Sequence, residues 1–243
     1  MIGKKSGFTL VETLITLGII GVIAGLSIPL AISGRMAAQA KGQFNTAYAL
    51  LQHAVADMSS SGIELQQSLY IGVEQNGRAA SNSIYNKFKP FLKISYDCGA
   101  FDNVNPKICA STDERGYEGY SGNSDTQLNT IVSNGSFVLQ NGMLVAFSGT
   151  TRSMNLFVTV DINGKNKLPN KWGWDVFTFQ VLDGELVPAG APGTGYEPEH
   201  PNLWGNNPRS YCDPNSNAQS NGATCAYYAL NDDEYFKTLY RGH

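Results

Sequence analysis

One long apolar run near the start of the chain constrains the fold more than any other feature. Residues 8–34 contain a single charged side chain, Glu12, and they follow the basic pair Lys4 and Lys5. At about 1.5 Å of rise per residue, a helix of this length can cross a hydrocarbon core of about 30 Å. The basic flank predicts a cytoplasmic N-terminus, with residues 35–243 on the outer side of the membrane.

An ordinary secretory signal is the alternative interpretation of this run. Such a signal has an apolar core of about 7–15 residues followed by a small-x-small cleavage site. Residues 31–33, Ala-Ile-Ser, would supply such a site, but the apolar run before them is too long. Glu12 also argues against a signal peptide, because a carboxylate in an apolar segment needs a partner that offsets its cost.

The segment SGFTLVETLITLGIIGVIAGLSIP, residues 6–29, resembles the N-terminal segment of type IV prepilins and type II secretion pseudopilins. The resemblance implies that a prepilin peptidase cleaves after Gly7 and methylates the new N-terminal residue, Phe8. It implies assembly roles for Glu12 and for Pro29, which matches the family's helix-loosening proline. The resemblance is close over residues 1–55 and covers the remaining chain only in general plan.

The same resemblance implies a structural function. The chain is then a subunit of a type IV pilus or a type II secretion pseudopilus, polymerising through its N-terminal helix, and it is not an enzyme. Its expected partners are the prepilin peptidase, other pilin or pseudopilin subunits and an inner-membrane assembly platform. Its expected location is the inner membrane, as a single-pass protein, and then the pilus or the periplasmic pseudopilus. In the filament, Glu12 would meet the new amine at Phe8 of a neighbouring subunit, because an unpaired buried charge is very costly.

A helical period continues beyond residue 34. Apolar side chains recur at alternating spacings of three and four, which predicts an amphipathic helix over residues 35–60. The helix should pack on a sheet of the same chain and end near Ser59–Gly62. The predicted division is a leader at 1–7, a transmembrane and filament-core helix at 8–34 and a globular head at 35–243. The apolar positions are Ala37, Ala40, Phe44, Ala47, Leu51, Ala54 and Met58.

Alternating apolar residues predict strands in the second half of the chain. Residues 136–139 and 143–147 flank Asn141-Gly142, a strong hairpin signal, and 156–161 and 175–182 form a second pair. The expected fold is α+β and pilin-like: a long N-terminal helix, half in the membrane and half amphipathic, packed on an antiparallel sheet of about four strands within 136–182. Outside the sheet we expect a short helix over 83–92, a loop over 96–135, a short edge strand over 227–230 and a terminal turn over 234–239.

The four cysteines are Cys98, Cys109, Cys212 and Cys225. No pair has the C-x-x-C spacing of a zinc or redox site, and an even number in an exported chain favours disulfides. Pairing Cys98 with Cys109 and Cys212 with Cys225 is the simplest of three connectivities, and four reduced thiols are the alternative. The second disulfide would close a loop over residues 187–225 that is rich in Gly, Pro, Asn and Ser.

The stretch DINGKNKLPNKWGWDVF, residues 161–177, offers oxygen ligands at Asp161, Asn163, Asn170 and Asp175. Calcium binds several such oxygens in a loop, but the spacing does not match an EF-hand. The favoured alternative is a hairpin loop whose Asn-Gly and Pro-Asn pairs set the turns. Calcium is the only cofactor that the sequence suggests.

Composition and motifs narrow the remaining functions. The net charge of −3 argues against a chain-wide electrostatic interaction with nucleic acid, so no nucleic-acid partner is expected. No motif of a hydrolase, metalloprotease or phosphate-binding loop occurs. The alternative function is a minor tip pilin acting as an adhesin or a DNA-binding module. Its local candidates are Lys165, Lys167, Lys171 and Trp172.

Overall fold

A long N-terminal helix packs on an antiparallel sheet in the computed structural model of this chain. The structure describes residues 7, 9–63, 65, 83–99, 108–110, 117–122, 135–149, 156–194, 211–217 and 221–241. Over these residues the helix is followed by a short helical segment, six strands and two C-terminal helices. The α+β, pilin-like fold class is confirmed.

Helix α1 spans Leu10–Ser60 and places one face of its second half in the core. All seven positions of the predicted apolar stripe are at most 5% exposed. Phe44 is the central member, with its ring centroid 4.7 Å from that of Phe177 on the sheet. The amphipathic stripe therefore packs on the head's own sheet, as its period predicts.

A glycine caps the C-terminal end of α1. At the C-terminus Gly62 adopts φ +75°, and the N–H of Ile63 donates to the carbonyl of Met58 at 3.1 Å, which is a Schellman arrangement. Only a residue without Cβ adopts this conformation readily, so the helix ends where the Ser-Gly pair predicts. Because proline cannot continue the backbone hydrogen-bond ladder, Pro29 predicts a kink or a melted turn. The helix continues through residue 29, so the turn is not melted there.

The sheet has six strands in sequential order, each antiparallel to its neighbours. The expectation of four strands is corrected by an added strand at each edge. The first of these overlaps the predicted loop over 96–135 at residues 96–99, where the loop prediction is wrong. The last follows a two-residue turn at Asp183 and Gly184, both with positive φ. The strands are β1 Ile94–Gly99, β2 Ser136–Leu139, β3 Leu144–Gly149, β4 Leu156–Asp161, β5 Val176–Leu182 and β6 Glu185–Pro188.

Three short helices complete the described head. Helix α2 spans Ile84–Phe88 and continues as a 3₁₀ turn over Lys89–Phe91, close to the predicted helix at 83–92. Helix α3 spans Cys225–Asn231 and α4 spans Tyr235–Tyr240, so the predicted edge strand at 227–230 and terminal turn at 234–239 are wrong.

The C-terminal helices form because their apolar residues recur at helical spacing. Ala226, Ala229, Phe236 and Tyr240 are all at most 6% exposed. Phe236 packs its ring 5.7 Å from Phe44, which places α4 against the stalk helix. Burial on one helical face outweighs the β-propensity of the paired tyrosines at 227–228.

Two disulfides close local loops in the head. Cys98 at the end of β1 is bonded to Cys109, and Cys212 is bonded to Cys225 at the start of α3. The structure thus contains the sequence-local pairing among the three connectivities. Much of the predicted 187–225 loop lies outside the described residues, which resume at 211–217 and 221–241.

Candidate functional site

The start of α1 is held by a reciprocal capping box between Thr9 and Glu12. The backbone N–H and the hydroxyl of Thr9 both donate to Glu12 Oε2, each at 2.8 Å. In return, the Glu12 N–H donates to Thr9 Oγ1 at 3.3 Å. The carboxylate is therefore already satisfied in part by its own chain, at the positive end of the helix dipole.

The first half of α1 exposes large apolar side chains along its described length. Leu10 is 78% exposed, Ile20 61% and Ile32 52%. Exposed apolar area of this extent marks a surface that another phase or molecule covers. The helix therefore has two parts: one that presents apolar side chains outwards and one that packs on the head.

The residues predicted for processing and assembly lie at this end of the chain. Gly7 and Glu12 are exposed. Phe8 lies outside the described residues, and for Pro29 the structure describes the helical backbone alone. Among the described residues, no helix has both the length and the apolarity needed to cross a membrane. Membrane insertion of residues 8–34 stays a prediction of the sequence.

The head contains a second candidate site, the 161–175 loop, which joins β4 to β5. Asp161 is the last residue of β4 and its carboxylate is buried. Its Oδ2 accepts a hydrogen bond from the Tyr117 hydroxyl at 2.8 Å, and its Oδ1 accepts from the Gly164 N–H at 2.8 Å. Burial, with the nearby Asp175 carboxylate, raises the pKa of Asp161 to about 7.

Asp175 lies at the other end of the loop, directly before β5. Its Oδ1 accepts from the Lys171 N–H at 2.6 Å, and its Oδ2 accepts from the Asn170 N–H at 2.9 Å. Burial raises the pKa of Asp175 to about 6, although these donors favour the charged form. The loop therefore holds two buried carboxylates whose ionisation is penalised by their surroundings.

Asn163 links the two carboxylates. Its backbone N–H donates to Asp161 Oδ1 at 3.3 Å, and its side-chain Nδ2 donates to Asp175 Oδ2 at 3.0 Å. Asn170 is 6% exposed, and its Nδ2 donates to the Lys165 carbonyl at 2.8 Å. The structure thus brings together all four residues that the sequence proposes as oxygen ligands. Tyr117 was not predicted, because nothing in its sequence neighbourhood places it against Asp161.

The 161–175 loop also contacts the segments around both disulfides. The Lys165 ammonium donates to the Cys109 carbonyl at 2.8 Å. The Tyr235 hydroxyl donates to the Gly173 carbonyl at 2.7 Å, and a Cβ on Gly173 would lie 2.7 Å from the Cys225 sulfur. The loop between β4 and β5 therefore contacts both of the segments that the disulfides close.

The residues considered for a tip-binding surface are not all exposed. Trp172 is 2% exposed and packs against Tyr117, with 5.9 Å between ring centroids. Lys165 is 8% exposed. Because these two side chains point into the head, the four candidates do not form one exposed basic and aromatic patch.

The fold is α+β and pilin-like: the second half of α1 packs on the sheet of the head, and the first half exposes its apolar side chains. The family model for the prokaryotic N-terminal methylation motif matches residues 2–28. This match supports a type IV pilin-like or pseudopilin-like protein, and the motif implies processing by a prepilin peptidase and assembly with other pilins. A search of curated proteins found no match, and a search of solved structures found none either.

Proposed function

We propose that this chain is a structural subunit of a type IV pilus or of a type II secretion pseudopilus, cleaved after Gly7 and N-methylated at Phe8. The observation that carries the proposal is the methylation-motif match over residues 2–28, which includes this junction and Glu12. The precursor is held in the inner membrane by residues 8–34, with a cytoplasmic N-terminus. It is then extracted into the filament with the help of the assembly platform.

The exposed apolar surface of α1 favours both insertion of the precursor in the membrane and assembly of the subunit into the filament. Burying a Val, Leu or Ile side chain is worth about 1.5–3 kcal/mol relative to leaving it in water. The bilayer covers these side chains before assembly, and the same helices of neighbouring subunits cover them in the filament. The large apolar side chains of α1 that are more than half exposed are Leu10, Val11, Leu14, Ile15, Leu17, Ile19, Ile20, Val22, Ile23, Ile28 and Ile32.

Glu12 selects the register in which subunits assemble. Both Thr9 donors bind Oε2, so within the described residues the capping box leaves Oε1 for a further donor. Cleavage after Gly7 creates an ammonium group at Phe8, next to the Thr9 cap. The ammonium group of a neighbouring subunit then pairs with Glu12 in the dry filament core, where an unpaired carboxylate is strongly disfavoured.

Two substitutions at Glu12 separate its charge from its capping role. Glu12→Gln keeps an oxygen that accepts from the Thr9 N–H but removes the charge, whereas Glu12→Leu removes both. We expect both variants to be cleaved and to remain in the membrane fraction, and neither to appear in sheared filaments. Asp57→Asn, an exposed position on the second half of α1, is the matched control and should assemble normally.

The measurement is the ratio of processed subunit in the sheared-surface or pseudopilus fraction to that in the membrane. Normal incorporation of Glu12→Leu would contradict the assembly role of this residue. Normal incorporation of Glu12→Gln alone would show that the cap matters and the charge pair does not. Failure of cleavage in either variant would instead point to a defect in recognition by the peptidase.

A further inference from the structure

A groove runs between the second half of α1 and the edge strand β6. Its volume is about 570 Å³; α1 lines one wall with Tyr48, Gln52 and His53, and residues 184–188 line the other. Gln52 Nε2 donates to the Tyr48 hydroxyl at 3.1 Å, so the α1 wall is polar. Burial and the nearby Glu185 carboxylate raise the pKa of Tyr48, which places Glu185 beside this hydroxyl at the groove.

One end of this groove is acidic. Asp183 and Glu185 lie on either side of Gly184 in the β5–β6 hairpin, and both are exposed. Neither acid forms an ion pair with another described residue. Among the described residues that line the groove there is no Lys or Arg. The groove therefore presents negative charge for which the described part of this chain supplies no partner.

The opposite edge of the sheet is basic. Strands β1 and β6 are the two outermost strands, and residues 83–95, which lead into β1, contain three lysines and no acidic residue. These lysines, Lys87, Lys89 and Lys93, are called the lysine ridge below. Lys89 pairs with Asp97 at 2.6 Å. Lys87 and the exposed Lys93 form no ion pair among the described residues, so the ridge carries unpaired positive charge.

The positions of the groove and the lysine ridge suit a contact between two copies of this chain. Subunits whose stalk helices pack in parallel meet through two different patches, because a contact that repeats along a filament is heterologous. The groove and the ridge lie at opposite edges of one sheet, and α1 contacts the elements at both edges. Opposite charges on such patches favour one orientation of the neighbouring head over others.

We propose that the groove between α1 and β6 receives the lysine ridge of a second copy of this chain, with Glu185 of one head paired with Lys93 of the next. This inference rests on the proposed function, since filament assembly brings the heads together. It adds the surfaces through which the heads meet, which the N-terminal helix does not specify. Exposed ion pairs stabilise weakly one at a time, so the contact orients the heads while the apolar half of α1 drives association.

Charge reversal in the full-length chain tests this contact in the cells that produce it. Glu185→Lys and Lys93→Glu should each lower the ratio of processed subunit in the sheared-surface or pseudopilus fraction to that in the membrane by about tenfold, because like charges then meet at every contact. A chain that carries both substitutions should recover the wild-type ratio, since both partners are reversed together. Lys167→Glu, at an exposed lysine of the 161–175 loop, is the matched control and should assemble normally.

The outcomes separate this inference from the proposed function. Normal incorporation of both single variants would overturn the inference, as would a double variant that assembles no better than either single one. Processing at Phe8 should be unchanged in all of these variants, because the substitutions lie in the head. A wild-type chain that is never processed at Phe8 would instead refute the proposed function.

Cross-linking identifies the two surfaces without relying on charge. Subunits with Glu185→Cys and subunits with Lys93→Cys are produced in the same cells and treated with a short bismaleimide. All four native cysteines are in disulfides, so the introduced thiols react. We expect covalent dimers when both variants are present and none when either is produced alone. Dimers from one variant alone, or none from the mixture, would overturn the proposed pairing of groove and ridge.

Discussion

Replacing Phe44 with alanine tests the packing that joins the stalk helix to the head. Phe44 is fully buried, and its ring lies 4.7 Å from Phe177, 6.1 Å from Phe179 and 5.7 Å from Phe236. A buried Phe→Ala change costs about 3–5 kcal/mol, and aromatic pairs add about 0.5–1.5 kcal/mol each to area burial. With three such pairs, we expect a loss at the upper end, about 4–5 kcal/mol.

This loss is large against the total stability of about 5–15 kcal/mol typical of a folded domain. It is measured by urea denaturation of the purified chain in detergent, with both disulfides intact, using tryptophan fluorescence. Leu230→Ala, at a side chain that is 39% exposed on α3, is the matched control and should change stability by less than about 0.5 kcal/mol. A loss below about 1 kcal/mol for Phe44→Ala would refute the conclusion that the sheet, α1 and α4 share this contact.

Three further substitutions test the head. Replacing both Cys212 and Cys225 with serine removes a disulfide between residues 13 apart in the sequence, and should lower the free energy of unfolding by about 3 kcal/mol in the same assay. An unchanged urea midpoint would show that this disulfide does not stabilise the head. Gly222→Ala should cost about 2–5 kcal/mol, because φ is +112° and its Cβ would lie 2.2 Å from the Trp172 Cβ, whereas Gly42→Ala on α1 meets nothing within 4 Å and should be neutral or stabilising. Lys41→Ala removes an exposed ion pair with Asp233 and should leave the thermal midpoint unchanged at moderate salt; a clear fall would mean that the pair anchors α4.

The parts of the fold that sequence predicts well are those with a regular apolar period. The stripe from Ala37 to Met58 repeats at helical spacing over six turns, and the structure buries every member. The strands at 136–139 and 156–161 are likewise found where they were predicted. In each case local pattern and tertiary burial favour the same structure, which is the condition under which sequence reasoning succeeds.

The predictions that failed involve short elements that depend on distant contacts. Strand β6 has four residues, and its best signal was the Asp183-Gly184 pair, which favours a two-residue hairpin. Helix α3 contains paired tyrosines with strand propensity, and only packing against β5, β6 and α4 makes it helical. Helix α4 is likewise held by α1, nearly two hundred residues away in the sequence.

The N-terminal motif and the 161–175 loop also differ in how much of each site the sequence predicts. The N-terminal motif is contiguous, so Gly7, Phe8 and Glu12 are recognised from sequence without a structure. The four candidate oxygen donors in the 161–175 loop were also proposed from sequence, because they lie within one short stretch. Their surroundings were not, since the hydrogen bond from Tyr117 to Asp161 joins residues 44 apart. Among the described residues, the buried amide oxygens of Asn163 and Asn170 accept no hydrogen bond. This depends on side-chain orientation, which no sequence pattern specifies.

Processing of the chain as a prepilin is tested by the mass and the N-terminal sequence of the native protein. The protein is taken from both the membrane and the sheared-surface fractions of the cells that produce it. We expect a chain that begins at Phe8 and carries one methyl group on its terminal amine. A soluble, unmethylated chain that begins near Gly34 would contradict it and would show that the apolar run is a secretory signal.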